Sequence, residues 1–148
     1  MRTMVDGKGA TPPAGRDATV RVERETDVLL ACQKGRGLAV RLGFGAGDQV
    51  AISIAISEVA RNILVHAGRG QITFYSAASN DQGRPGIVVV ARDEGPGIAD
   101  VELAMQDGYS TSGGLGVGLS GARRLTDEFH VASGPGAGTT VTMVKWLP

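Results

Sequence analysis

The chain has little of several features that would assign it to a class directly. Cys32 is the only cysteine among 148 residues. No disulfide can therefore form within the chain, and a reducing cytoplasm is the expected compartment. Lys and Arg together number 15, as do Asp and Glu, so net charge gives no reason to expect a nucleic acid or an anionic membrane as partner. No apolar run approaches the roughly 20 residues needed to cross a bilayer.

Glycine, by contrast, is abundant, with 23 positions. Most of these glycines are expected in tight turns. Those at 95–97 and 113–118 adjoin a predicted strand and a predicted helix, where the backbone can approach another group closely. Residues 1–18 combine charges, glycine and proline without an apolar segment, so we expect a disordered tail and a single domain over 19–148.

Hydrophobic periodicity predicts the elements of that domain. The helices are expected at 27–42, 48–66, 100–106 and 118–128, and the strands at 19–25, 71–77, 87–91, 129–133 and 139–146. The second helix is the clearest, because apolar residues recur on one side at steps of four, three and four: Ile52, Ile56, Val59 and Ile63. This order predicts an α+β fold, a two-layer sandwich with one mixed sheet and its helices on one face.

The second helix also carries a pair of polar residues suited to chemistry. Glu58 and Asn62 are four positions apart and share one helix face. A carboxylate can accept a proton from a hydroxyl group or water, and an amide oxygen is a suitable ligand for Mg²⁺. An isolated pair of this kind is most often a solvated glutamate beside an amide, so the pair gains weight only in combination with other motifs.

A second motif follows the strand at 87–91 directly. It reads Asp93-Glu94-Gly95-Pro96-Gly97-Ile98. A carboxylate leaving a central strand can accept hydrogen bonds from an exocyclic amine such as that of adenine, and Gly97 leaves room for a flat ring against the backbone. A simple Gly-Pro-Gly turn explains the same letters about equally well.

The third motif is the glycine loop 112–119, which opens the helix predicted at 118–128. Closely spaced glycines before a helix expose backbone N–H groups and can cradle phosphates. The loop is not a P-loop, since no Gly-Lys-Ser/Thr occurs. A dinucleotide fingerprint can be forced onto Gly116, Gly118 and Gly121, but no strand precedes it, so we reject that reading.

In their order and spacing, the three segments resemble the N, G1 and G2 boxes of the GHKL ATPase superfamily, which includes gyrase, Hsp90, histidine-kinase and MutL domains. The resemblance implies the Bergerat ATP-binding fold, with ATP and Mg²⁺ as cofactors. Glu58 would be the general base, Asn62 would hold Mg²⁺, and Asp93 would bind the adenine amine between Gly95 and Gly97. Further nucleotide contacts would come from Ile98, Ser112, Gly113, Gly114, Leu115, Gly116, Val117, Gly118, Leu119 and Thr139. Residues 99–112 would form a short ATP lid.

A narrower resemblance covers residues 19–148. The segments 57–63, 67–72, 93–98, 107–119 and 123–129, with the ending Lys145-Trp146-Leu147, are similar to the RsbT branch of the anti-sigma-factor serine kinases. This implies a serine/threonine kinase that phosphorylates a STAS-domain partner within a stressosome. Once released, such a kinase activates a downstream effector, typically a phosphatase.

Other functions stay open at this point. A nucleotide-dependent binding protein without significant kinase activity, such as an anti-sigma factor or phosphatase activator, is the main alternative. The presence of both Glu58 and Asn62 argues against it, because a pure binder needs neither a base nor a metal ligand. A histidine-kinase catalytic domain is less favoured, since no dimerisation helix precedes it. The glycine loop carries no lysine, and Arg61 is the nearest cation in the motifs.

Overall fold

A computed structural model describes residues 2–6, 15–78, 82–97 and 118–148 of the chain. The strands are β1 (Arg2–Asp6), β2 (Gly15–Val22), β3 (Gly70–Ala77), β4 (Gly86–Asp93), β5 (Glu128–Ser133) and β6 (Thr139–Trp146). The helices are α1 (Glu25–Leu42), α2 (Ala46–His66) and α3 (Gly118–Arg124). The helix predicted at 100–106 lies outside the described residues. The other helices and strands appear where the sequence predicts them, within a few residues at each end.

The described strands form one six-stranded sheet in the order β1-β5-β6-β4-β3-β2. Every adjacent pair is antiparallel, so the α+β class is confirmed but the expectation of a mixed sheet was wrong. The reason is connectivity. Only a few residues separate β3 from β4 and β5 from β6, and a helical hairpin returns the chain from β2 to β3 in the opposite direction.

The expectation of a disordered tail over residues 1–18 differs from the structure in two places. β1 pairs with β5, with Arg2 opposite Ser133 and Asp6 opposite Phe129. β2 begins at Gly15 rather than Thr19, and its pairing with β3 shifts register between Arg16 and Ala18. Backbone hydrogen bonds to a neighbouring strand hold these residues, and the amino-acid composition of a segment is a poor predictor of such pairing.

The core lies between the sheet and the helix layer. The predicted stripe on α2 is confirmed, because Ile52, Ile56, Val59 and Ile63 are all at most 3% exposed. Alternate residues of β4 face it, namely Ile87, Val89 and Ala91. Within the described residues, no helix combines the length and the apolar character needed to cross a membrane.

Both long helices begin two residues before their predicted starts. α1 begins after Arg24, and the Asp27 carboxylate accepts hydrogen bonds from the backbone N–H groups of Glu23 and Arg24, at 2.9 and 3.0 Å. α2 begins after Gly45, and Asp48 lies in its first turn. A carboxylate in that position still interacts favourably with the helix dipole.

Candidate nucleotide-binding site

One face of α2 carries the first motif and reaches the other two motifs at its ends. Glu58, Asn62 and His66 follow one another at steps of four, so they lie along the same side of the helix. They span about 12 Å along its axis, at 1.5 Å per residue. The Glu58 end meets the start of α3, and the His66 end meets the turn after β4. This face therefore connects the second and third motifs.

Glu58 lies at the end that faces α3. Its side chain is only 11% exposed, and the backbone N–H of Gly118 donates a hydrogen bond to its carboxylate. Nη1 of Arg61, one turn further along α2, lies 3.8 Å from Oε1 of Glu58. Partial burial raises the pKa of Glu58 above its usual value, and the Arg61 charge and the Gly118 amide offset part of that rise.

Asn62 lies between the two ends of this face and is partly exposed. Its side-chain amide oxygen is the kind of ligand that Mg²⁺ accepts. The described residues contain no cluster of three or more His, Cys, Asp or Glu that could hold a metal. The single Asn62 oxygen fits Mg²⁺, because this ion keeps several waters and takes its other ligands from substrate phosphates.

The Asp93 end is built from a row of residues that crosses the sheet. Asp93 on β4 is opposite Gly70 on one side and Thr139 on the other, and Thr139 is opposite Ser133. The Ser133 hydroxyl donates to the carbonyl of Gly138 at 3.0 Å and lies 2.8 Å from Oγ1 of Thr139. Hydrogen bonds thus link Ser133 to Thr139, and the backbone N–H of Thr139 links this pair to Asp93.

Asp93 is buried, with 7% of the residue exposed. The backbone N–H of Gly95 donates to its Oδ1 at 2.9 Å, and the backbone N–H of Thr139 also donates to the carboxylate. Burial raises the pKa of Asp93, and these two N–H groups and the charge of His66 offset part of that rise. A carboxylate has about four lone-pair positions, so Asp93 keeps acceptor capacity for the amine of a base.

The glycines of the second motif permit close contacts between turns. A Cβ at Gly95 would come within 2.5 Å of Cβ of Ala67, at the end of α2. Gly97 has φ +82°, and a Cβ there would clash with the Gly134 carbonyl. The carbonyl of Pro96 accepts a hydrogen bond from Gly136. The space beside Gly97 on its Cβ side is thus filled by the β5–β6 turn, which gives this glycine a structural purpose besides the expected room for a ring.

Only the end of the glycine loop falls within the described residues. Gly118 opens α3 with φ +47°. The Leu119 side chain belongs to the hydrophobic core and is 3% exposed, so any contact with a phosphate must come from its backbone. The other expected contacts of this motif lie outside the described residues, as does the end of the second motif: Ser112, Gly113, Gly114, Leu115, Gly116, Val117 and Ile98.

Sequence reasoning missed three contributors to this site. Ser133 supports Thr139, Gly70 leaves space beside Asp93, and the end of α2 at His66 and Ala67 packs on the second motif. A Cβ at Gly70 would come within 3.1 Å of Cβ of Asp93. The signal for Ser133 was present in the two predicted strand ranges, because a hairpin that joins 129–133 to 139–146 sets residues 133 and 139 opposite each other.

Comparison with known protein families identifies a family for this chain. The model of the histidine kinase-, DNA gyrase B- and HSP90-like ATPase family matches residues 47–148, which include all three motifs. The chain belongs to this ATPase family.

Similarity to individual proteins supports a narrower relationship. The chain is 51% identical over 128 residues to serine/threonine-protein kinase RsbT of Bacillus subtilis, which covers 86% of this chain and 95% of that protein. It is 38% identical over 105 residues to the anti-sigma F factor of Halalkalibacterium halodurans, covering 68% and 70%. It is 35% identical over 102 residues to the anti-sigma F factor of Caldanaerobacter subterraneus, covering 65% and 68%. The expected enzyme class, an ATP-dependent protein serine/threonine kinase, is confirmed at the level of this similarity.

Proposed function

We propose that this protein transfers the γ-phosphate of ATP to a serine or threonine of a STAS-domain partner and works in the cytoplasm as a releasable switch. After release it activates a downstream effector, most simply a phosphatase. The observation that carries this proposal is the 51% identity to a serine/threonine-protein kinase over 95% of that kinase's length. The arrangement of Glu58, Asn62 and Asp93 along one helix face and the adjoining strand end supports it.

In this proposal the two ends of the site divide the work. Asp93 accepts a hydrogen bond from the adenine amine, while Thr139 and the turn at Gly95 and Gly97 hold the carboxylate in place. At the other end Glu58 accepts the proton of the substrate hydroxyl. Its 11% exposure suits a base, because partial burial brings a carboxylate pKa closer to neutrality.

Magnesium would be held by the Asn62 oxygen, and when bound it would neutralise charge on the phosphates. The glycine loop 112–118, with the backbone of Leu119, would provide N–H groups to the same phosphates. The protein's own contribution to phosphoryl transfer is chiefly the positioning of the two substrates. The proton leaves the attacking hydroxyl for Glu58, and the products are a phosphorylated side chain and ADP.

A direct transfer assay tests the proposal. The purified protein is incubated with Mg-ATP and each STAS-domain protein encoded near it, and phosphorylation is followed by mass spectrometry. We expect one phosphate on a serine or threonine of a STAS protein, and much less with Glu58→Gln than with the control Glu23→Gln, which changes an exposed carboxylate. Nucleotide binding without transfer to any STAS protein would contradict the proposal.

That negative outcome would favour a second candidate function. Similarity to anti-sigma F factors over about two thirds of the chain supports a nucleotide-dependent protein that sequesters a sigma factor. A co-purification with a sigma factor whose gene lies beside this one, dependent on added ATP, would identify this alternative.

A further inference from the structure

Glu58 needs a counter-charge that its own helix can provide. The residue is 11% exposed, and burial disfavours the ionised form of a carboxylate. The base of the proposed reaction must nevertheless be ionised and correctly oriented before the hydroxyl arrives. In the described part of the chain, the cation whose charge acts on Glu58 is that of Arg61.

The position of Arg61 suits this purpose. Arg61 is three residues from Glu58 on α2, so the two side chains lie one above the other on the helix surface. The Arg61 side chain is 50% exposed, and its Nη1 is 3.8 Å from Oε1 of Glu58. The guanidinium can remain hydrated while the carboxylate turns inward to the Gly118 amide. Arginine does not deprotonate in proteins, so this counter-charge is constant with pH.

Folding stability does not account for the pair. An ion pair with a half-exposed member contributes little to stability, typically below about 1 kcal/mol. Two other arginines of the helix layer contact groups that have no proposed chemical role. Arg36 reaches the side-chain amide of Gln49 at 3.4 Å, and Arg41 pairs with Asp17 at the edge of the sheet. Of these three, only Arg61 faces a carboxylate with a proposed chemical role.

We propose that Arg61 is a positioning residue for phosphoryl transfer: it holds the Glu58 carboxylate, together with the Gly118 amide, in the orientation that receives the substrate proton. The inference rests on the proposed function. Removing the Arg61 charge lowers kcat, because the base is less often in place. The KM for ATP stays nearly unchanged, because Arg61 is not part of the Asp93 end.

The kinetic test compares Arg61→Gln, Arg61→Lys and the control Arg36→Gln, using the STAS protein that the transfer assay identifies. We expect Arg61→Gln to lower kcat about tenfold, Arg61→Lys to recover part of the loss, and Arg36→Gln to behave as wild type. Wild-type kcat in Arg61→Gln would overturn the inference. So would a rise in KM for the STAS protein at unchanged kcat, which would make Arg61 a substrate contact, or equal losses in both Arg61 variants.

A measurement without substrate separates this inference from the proposed function. The carboxyl ¹³C resonance of Glu58, assigned with Glu58→Gln, is recorded in the free protein at neutral pH. We expect it to move in Arg61→Gln and to stay in place in Arg36→Gln. A resonance unmoved by Arg61→Gln would overturn the inference even if the kinase activity is found. A wild-type protein that transfers no phosphate would refute the proposed function, whereas a shifted resonance would still establish the contact.

Discussion

The two ends of the candidate site are built in different ways. At the Asp93 end, a buried carboxylate accepts two backbone N–H groups, and glycine turns pack against one another too closely for any Cβ. At the Glu58 end, a partly buried carboxylate is held by one amide and a half-exposed arginine. The first arrangement is rigid and suits recognition of a constant group such as adenine. The second depends on a few adjustable contacts, as expected where a protein substrate must enter and leave.

The largest expected effect is at the adjustable end. Glu58→Gln should lower kcat by about 10² to 10⁴ and leave ATP binding nearly unchanged, because the amide oxygen can still accept from Gly118. Burial raises the pKa of Glu58, so wild-type kcat should begin to fall at a higher pH than an ordinary glutamate would dictate as the solution is acidified. Initial rates against pH check this, and an unchanged acid limb in Glu58→Gln would remove Glu58 as the base.

At the rigid end, the expected effect of a single methyl group is nearly as large. Gly97→Ala must push a Cβ into the Gly134 carbonyl at a φ of +82°, and we expect a loss of about 3 kcal/mol in unfolding free energy. Gly136→Ala is the matched control, since its φ is +74° but its Cβ would meet nothing within 4 Å. It should lose only about 1 kcal/mol of backbone strain. Denaturant unfolding measures both, and equal losses would mean that the turns are not tightly packed.

These two ends also differed in how far the sequence could predict them. The α2 stripe and the spacing of Glu58 and Asn62 follow from helical periodicity, which is a local property. The antiparallel character of the whole sheet and the pairing of β1 with β5 depend on contacts between distant residues, and local patterns do not encode these directly. The residue types around Gly97 predicted a turn. The β5–β6 turn that packs against it could be identified only from the three-dimensional arrangement of the strands.

A moderate effect is expected from the acid of the rigid end. Asp93→Asn should weaken ATP binding at least tenfold by calorimetry, because a carboxamide presents one acceptor oxygen where the carboxylate presents two. A loss of affinity no larger than that of Glu23→Gln would remove the adenine assignment.

The same variant has a predicted stability signature. Burial raises the folded-state pKa of Asp93, so its contribution to stability is full below the unfolded-state pKa and is lost as pH rises through the folded-state value. Wild type should therefore gain stability relative to Asp93→Asn on going from pH 7 to about pH 4. At pH 7 the two should differ by no more than about 1 kcal/mol. Denaturant melts at the two pH values check the sign, and a wild type that loses stability relative to Asp93→Asn toward acid would contradict it.

The smallest effect tests whether the rigid end acts as a unit. Ser133 is fully buried, and its hydroxyl bonds to both Gly138 and Thr139. Ser133→Ala should cost about 1 kcal/mol in unfolding free energy and weaken ATP binding a few-fold, because Thr139 loses a support. Ser57→Ala removes a hydroxyl that donates to the Ile54 carbonyl of the same helix and should cost less than about 0.5 kcal/mol.

Double-mutant cycles then compare the ends through this serine. Ser133 and Asp93 are linked through Thr139, so the effects of Ser133→Ala and Asp93→Asn on ATP binding should be non-additive by at least about 0.5 kcal/mol. Ser133 lies on β5 and Glu58 lies at the opposite end of the α2 face, so the effects of Ser133→Ala and Glu58→Gln should add. Additivity in the first cycle would mean that the residues of this row lie side by side but do not act together in ATP binding. Coupling in the second cycle would mean that adenine recognition and proton transfer depend on each other, because a change on β5 would then affect Glu58 at the far end of the α2 face.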